Sequence, residues 1–239
     1  MSVNKLTQRR PEAKPQAIVP LHTAYERIRQ SILDHSLPPG TRLVEDQLCD
    51  VFGIGRTRIR QVLQRLAHEH VVTLMPNRGA VVTKPSVQQA REVFEARAVL
   101  EGAIMTKLLG VATQADRRRL REHLQREKLA WQAMDRRAII KLSGEFHLIL
   151  AEAAGNSVLL DTMRGLVSRS SLIIAAYQAP GALPCPAGDH EALCFALETS
   201  DRTAIRLMQQ HLKRVLSHLD LVLSDERSVD LRSVLSHVA

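Results

Sequence analysis

The chain predicts a mainly α-helical protein of two parts, a small N-terminal head of three helices and a β-ribbon, followed by a larger, wholly helical bundle. Three observations carry this reading. The stretch from Leu43 to Val82 reads as two short helices, a tight turn and a ribbon; the chain beyond about residue 86 reads as one amphipathic helix after another. Apolar content of 45% with only 3% aromatic points to cores of Leu, Ala, Val and Ile. At 239 residues there is enough chain for each part to bury a core of its own.

Taken in order, residues 1–20 mix Gln, Pro, Lys and Arg without periodicity and are expected to form a flexible arm. The head is expected over 21–84. Its first helix spans 23–35, with Ala24, Ile28, Ile32 and Leu33 as the apolar stripe and Pro38-Pro39-Gly40 as the stop. A second helix covers 45–52, and Gly53-Ile54-Gly55 supplies the turn. The third runs over 57–70, with Thr57 as N-cap and Ile59, Val62, Leu63 and Leu66 facing inward. Strands at 71–74 and 80–83 are joined by Met75-Pro76-Asn77-Arg78-Gly79, where Asn and Gly suit a turn.

The bundle is expected over 87–223. Its helices fall at 87–109, 113–131, 135–154, 157–177, 187–199 and 201–223, separated by Gly110, Gly155-Asn156, Pro180-Gly181 and the run from Pro184 to Gly188. Residues 224–239 read as a tail or a fraying helix. The three cysteines, Cys49, Cys185 and Cys194, form no CxxC pair and read as small packed residues. No run of 18 apolar residues occurs and the first residues lack the apolar segment of a signal peptide, so a soluble, cytoplasmic protein without a membrane partner is expected.

Charge separates the two parts. Residues 1–84 hold 13 Lys and Arg against 7 Asp and Glu, whereas 85–239 hold 20 against 18, so most of the net +8 lies in the head. Together with three helices and a basic ribbon tip, this is the layout of a winged helix-turn-helix, which sets one helix in the DNA major groove and its wing against the flanking backbone or minor groove. Arg56 and Arg60 lie four apart and project from one side of the third helix, where a guanidinium can grip guanine or phosphate. Arg58 stands about 200° around the helix from Arg56 and suits a backbone contact or solvent. Thr57 can set its hydroxyl and the free N–H groups of the helix start against a phosphate. Arg78 is placed to reach a groove from the wing tip while Gly79 permits close approach, and Arg65, two turns along, reads as a surface or salt-bridging residue.

The run PPGTRLVEDQLCDVFGIGRTRIRQVLQRLAHEHVVTLMPNRGAVVT resembles the N-terminal domain of the GntR family of bacterial transcription regulators, the FadR subfamily above all. Leu43, Glu45, Leu48, Arg56, Thr57, Arg60, Leu63, Arg65, Leu66, Pro76, Asn77 and Gly79 carry the likeness; Cys49, Gly55, Arg58, Gln61 and Val62 depart from it. The resemblance implies a ligand-responsive repressor that binds a palindromic operator as a homodimer. Residues 90–220 resemble the helical effector-binding and dimerisation domain called FCD.

Three histidines sit on expected helices among apolar neighbours: His147, His190 and His211. By spacing alone each reads as a packed or half-exposed core residue rather than as a metal ligand. The FCD likeness implies that they hold a divalent metal ion, zinc or nickel by the chemistry of imidazole, with an aspartate as fourth ligand. That aspartate would fall at position 143, where this chain has Ser143. Three imidazoles with water or effector oxygens, or a weakened or lost site, follow as alternatives, with Ser143 facing the effector. Arg97 and Glu101 match the start of the same domain. Arg97 can pair with a carboxylate effector or with Glu101, four residues away on one helix face, and Arg164 and Arg169 are weaker candidates for the rim. The rival function, a metal-dependent hydrolase or lyase, needs an acid or base at the cluster; Glu145 and Asp189 are near in sequence but turned aside, and neither HExxH nor G-x-S-x-G occurs.

Overall fold

A computed structural model of the chain describes residues 19–76, 78–179, 182, 188–221 and 235. Most of the expected arm over 1–20, the wing residue Asn77, Cys185, nearly all of the punctuation over 180–188 and the tail over 224–239 apart from Leu235 lie outside the described residues. The head comprises α1 (Leu21–Leu33), β1 (Arg42–Leu43), α2 (Glu45–Phe52), α3 (Arg56–His68), β2 (Val72–Met75) and β3 (Gly79–Val82). Each helix buries the face its periodicity assigned. Ala24, Ile28 and Ile32 of α1, Leu48 and Phe52 of α2, and Ile59, Val62, Leu63 and Leu66 of α3 meet in one core.

Two local expectations are corrected. Helix α3 begins at Arg56, one residue early, and its N-cap is Gly55 in an extended conformation with no side-chain cap bond, so Thr57 is the second helical residue and not the cap. The ribbon is three-stranded: β3 lies between β1 and β2, antiparallel to both, with Leu43 opposite Ala80 and Leu74 also opposite Ala80 on the other side. A two-residue strand has no alternation to read, which is why β1 left no trace in the sequence. Its carbonyl sets a tight constraint. At Gly79 the backbone has φ +86°, and a Cβ added there would stand 2.2 Å from the Leu43 carbonyl oxygen.

The bundle comprises α4 (Val87–Val111), α5 (Gln114–Gln132), α6 (Arg136–Ala153), α7 (Ser157–Tyr177), α8 (Asp189–Glu198) and α9 (Thr203–Ser217). Its starts are chemically marked. Ser86 and Thr113 close reciprocal capping boxes with Gln89 and Asp116, Asp135 accepts from Ala138 N, and Asn156 accepts from Val158 and Leu159 N. Helix α4 packs against α6, α7 and α9, and α5 against α6 and α8, around Phe94, Met105, Phe146, Met163 and Met208. No described helix is long and apolar enough to cross a membrane.

Head and bundle meet along α1 and α7. Leu172 of α7 is buried in the head's core, an insertion worth about 1.5–3 kcal/mol for a fully covered leucine. Beside it, Ser171 Oγ donates to the Leu33 carbonyl at 2.7 Å, His35 Nε2 lies 3.2 Å from the same hydroxyl, and Arg29 Nη2 donates to Ser168 Oγ at 3.3 Å. Leu235 is fully covered in the same head core, and the Arg27 guanidinium donates to its carbonyl. The connection between the domains is tied down by Tyr177, whose hydroxyl donates to the Pro85 carbonyl at 2.7 Å.

The positive φ and the carbonyl clash act together at Gly79. Gly79→Ala is expected to lower the stability of the head by more than about 2 kcal/mol, read as a fall in the urea midpoint; an unchanged midpoint would show the wing free to move away from Leu43.

Candidate functional site

The outward face of α3 is a cationic surface. The side chains of Arg56 and Arg60 are 65% and 57% exposed, and Thr57 and Arg58 are exposed beside them. Both of the first two reach the first turn of α2. Arg56 Nε lies 2.8 Å from Asp46 Oδ1, and Arg60 Nε donates to both oxygens of Glu45 at 2.9 and 3.0 Å. Acids at a helix start are favoured by the dipole, so α2 offers these carboxylates at low cost. Exposed pairs of this kind contribute only about 0.2–1 kcal/mol each, little enough for a phosphate or a guanine edge to displace them. The periodicity of α3 did not disclose this pairing, because the partners belong to another helix.

On the wing the two expected residues part ways. Arg78 is exposed, whereas Gly79 is buried against β1 and is held by the fold itself. Arg65 lies with its guanidinium 3.7 Å from the centroid of the Tyr25 ring and 3.7 Å from Glu69, the surface salt-bridging place expected of it.

In the bundle, α6, α8 and α9 bring His147, His190 and His211 together. All three are buried, and their nearest ligand nitrogens lie within 4.8 Å of one another. Each ring is oriented by a carboxylate at Nδ1. Glu101 of α4 takes His147 at 2.5 Å, Glu127 of α5 takes His190 at 2.9 and 3.0 Å, and Asp189 of α8 takes His211 at 3.0 Å. With Nδ1 committed to an acid, Nε2 is the atom each ring would present to a cation. Phe146 stacks on the His190 ring with centroids 3.9 Å apart and fixes its plane.

Protonation follows from burial and neighbours. Burial lowers His147 to about 3 against the pull of Glu101, and burial likewise lowers His211, so both rings are neutral at pH 7. Burial works to raise the Glu101 carboxyl, but Arg97 and His147 outweigh it and hold the group at about 2. Glu127 is brought to about 2 in the same way, burial being overcome by its bonds to His123 and His190. His147 and His211 are thus neutral imidazoles backed by ionised carboxylates, the state a metal-binding histidine requires.

Arg97 is buried at the edge of this cluster. Its Nε donates to Glu101 Oε1 at 2.7 Å and its Nη1 to Ser170 Oγ at 2.9 Å, while Nη2, also buried, has no partner among the described residues. Of the two sequence alternatives for Arg97, the Glu101 pair is therefore formed, with one arm of the guanidinium left over. A cavity of about 200 Å³ adjoins it, lined by Arg97, Ser143, His147 and His211. Ser143 thus faces the same space one turn before His147.

Several neighbours differ from expectation. Glu145, expected to turn aside, lines the cavity, and Asp189 is in contact with His211. Neither is poised as a general base: Glu145 lies 3.8 Å from Lys141 and 3.9 Å from Arg126, and Asp189 is gripped by His211 and Arg214. Arg164 and Arg169 do not border this cavity but two separate grooves. Glu127 was missed by sequence reasoning, since it and His190 are 63 residues apart and no spacing links them, while Glu101 and Asp189 were singled out but not as partners of the histidines.

The profile described as "Bacterial regulatory proteins, gntR family" matches residues 21–82, and the FCD domain profile matches 92–214. The chain is 25% identical over 195 residues to the HTH-type transcriptional repressor RspR of Escherichia coli K12, spanning 80% of this chain and 85% of that one. It is 29% identical over 167 residues to the fatty acid metabolism regulator protein of Cronobacter sakazakii, covering 63% and 70% of the two. Among solved structures, Escherichia coli McbR/YncC superposes with a TM-score of 0.71 at 21% identity over 82% of this chain and 97% of that one. A GntR regulator from Rhodococcus sp. RHA1 gives 0.72 at 20% identity over 82% and 95%.

Removing one partner of a buried ion pair leaves the other uncompensated. Glu101→Gln is expected to destabilise the protein by about 3 kcal/mol in denaturant titrations; a loss below about 1 kcal/mol would mean that Arg97 finds other compensation.

Proposed function

The chain belongs to the gntR family of bacterial regulatory proteins, and on that premise we propose that it is a cytoplasmic repressor, released from its operator when a small organic acid enters the FCD domain. It is a DNA-binding transcription regulator rather than an enzyme. Arg56 and Arg60 read the major groove, exchanging Glu45 and Asp46 for base edges and phosphate; Thr57 and Arg58 add backbone contacts and Arg78 the flanking groove. The protein acts as a homodimer on a palindromic operator, because a two-fold assembly reads a two-fold site. The exposed face of α4, with Ala96, Val99 and Ala103 at helical spacing, suits close packing against a second copy.

The observation that carries the ligand reading is the unpaired, buried Nη2 of Arg97 beside the cavity. A buried guanidinium arm without an acceptor is costly, and an effector carboxylate supplies the acceptor. His147, His190 and His211 fit a divalent metal such as zinc or nickel, being clustered and each oriented by an acid, and would hold it without the aspartate that Ser143 replaces. Such an ion supplies open coordination positions for a carboxylate oxygen. Ser143 then offers the effector a hydroxyl instead of a competing negative charge.

On DNA selected by the wild-type protein, Arg56→Ala and Arg60→Ala are each expected to cost about 1–3 kcal/mol of binding in fluorescence anisotropy, with affinity falling steeply as salt rises. Unchanged affinity, or a flat salt titration, would remove these side chains from the interface. Elemental analysis of purified protein is expected to find roughly one divalent ion per chain, lost in His190→Ala. Arg97→Met is expected to keep the ion but to abolish thermal stabilisation by carboxylates; protection equal to wild type would reject the Arg97 site.

A further inference from the structure

The cavity beside Arg97 is not walled by the bundle alone. Arg29, Gln30 and Leu33 of α1, which belong to the head, line it opposite the helical residues. A molecule held there touches both domains at once. Arg29 is half-buried and only loosely held: Nε donates to Glu69 Oε2 at 3.3 Å and Nη2 to Ser168 Oγ at 3.3 Å. Charge-assisted bonds of good geometry are about 2.7–2.9 Å long, so an acid placed correctly in the cavity has the advantage over Glu69.

The balance of charge in the lining points to the ligand. Among the described residues lining it, Arg29, Arg97 and Lys141 are the lysine and arginine residues and Glu145 is the one carboxylate, and Glu145 lies 3.8 Å from Lys141. Among the described residues the carboxylates that pair with the two arginines, Glu69 and Glu101, both stand outside the cavity lining. A monoacid satisfies one arginine. A diacid satisfies both, from the two walls.

Resting on the reading that this cavity takes a carboxylate at Arg97, we propose that the effector carries two anionic groups and that the second is bound by Arg29 of the head at the expense of Glu69. Glu69 is the C-cap of α3, where it accepts from the Tyr25 hydroxyl and pairs with Arg65. A carboxylate at the negative end of a helix dipole needs cations beside it. Withdrawal of Arg29 therefore loosens the anchorage of α3 at one end, while Arg56 and Arg60 project from the other. The signal reaches the recognition helix through two ion pairs and one hydroxyl, without passing through the link at residues 83–86.

The test sets saturated dicarboxylates of four to six carbons against monocarboxylates of the same lengths, with binding to the purified full-length protein measured by calorimetry and operator release by anisotropy. Wild type is expected to bind at least one diacid roughly tenfold more tightly than its monoacid and to release DNA with it. Arg29→Met is expected to lose that preference and, because it removes the same Arg29–Glu69 pair, to bind the operator severalfold more weakly without ligand and to show no further release with diacid, a single cooperative thermal transition verifying folding. Glu69→Gln, which weakens the competing pair, is expected to tighten diacid binding, a change no folding defect produces. A diacid preference that survives in Arg29→Met, or monoacids that bind wild type as well as diacids, would overturn the Arg29 assignment while leaving the cavity reading intact. Binding of neither class to wild type would overturn both.

Discussion

A charged group taken out of water must be met by an opposite charge and by hydrogen bonds, and the bundle is built around one such obligation. Arg97 is buried on α4, so Glu101 lies one turn away to neutralise it; Glu101 in turn holds His147, and Ser170 of α7 takes another arm of the guanidinium. Four side chains from three helices are thereby committed to one arrangement. Apolar contacts around Phe146 and Met208 tolerate small shifts, but this chain of bonds does not. It fixes where α4, α6 and α7 stand, and with them the cavity between the histidines and the head.

The same logic is repeated at each histidine. Three rings in an apolar bundle would be poor neighbours if any carried a charge, and burial keeps His147 and His211 neutral. Their acids remain ionised because each has at least one further donor, Arg97 for Glu101, His123 for Glu127 and Arg214 for Asp189. The centre is thus a network of acids, with the imidazoles as its inner layer. An ion seated there would meet ligands whose orientation is already set.

How much of this could be read from the residues follows from the range of each interaction. Helices α2 and α7 were legible to the residue because the apolar period, a glycine turn and an asparagine cap are local signals. The start of α3 was displaced by one because Thr57 is a good cap by type, whereas the backbone used the extended Gly55. Strand β1 was invisible, being two residues long and defined only by its pairing with β3. The three histidines were legible through their resemblance to a known pattern, but not which acid stands behind each: Glu127 is 63 residues from His190, and Asp189, beside His190 in the chain, holds His211 instead. Nor was the head's share in the cavity, since Arg29 and Gln30 look like ordinary polar positions on an amphipathic helix until α7 is laid beside them.

The pairing of Arg56 and Arg60 with the acids of α2 has a consequence for how the head moves over a chromosome. On the proposed reading that these two arginines face the groove, its attraction for any polyanion is blunted, because both are answered from within at 2.8 to 3.0 Å. An arbitrary duplex offers phosphates that do little better than Asp46 and Glu45 already do, so lodging there gains little and departure is quick. On that reading, only a sequence whose base edges meet both forks at once would outbid the internal carboxylates and hold the head there. Selectivity is thus sharpened by lowering the grip on everything else.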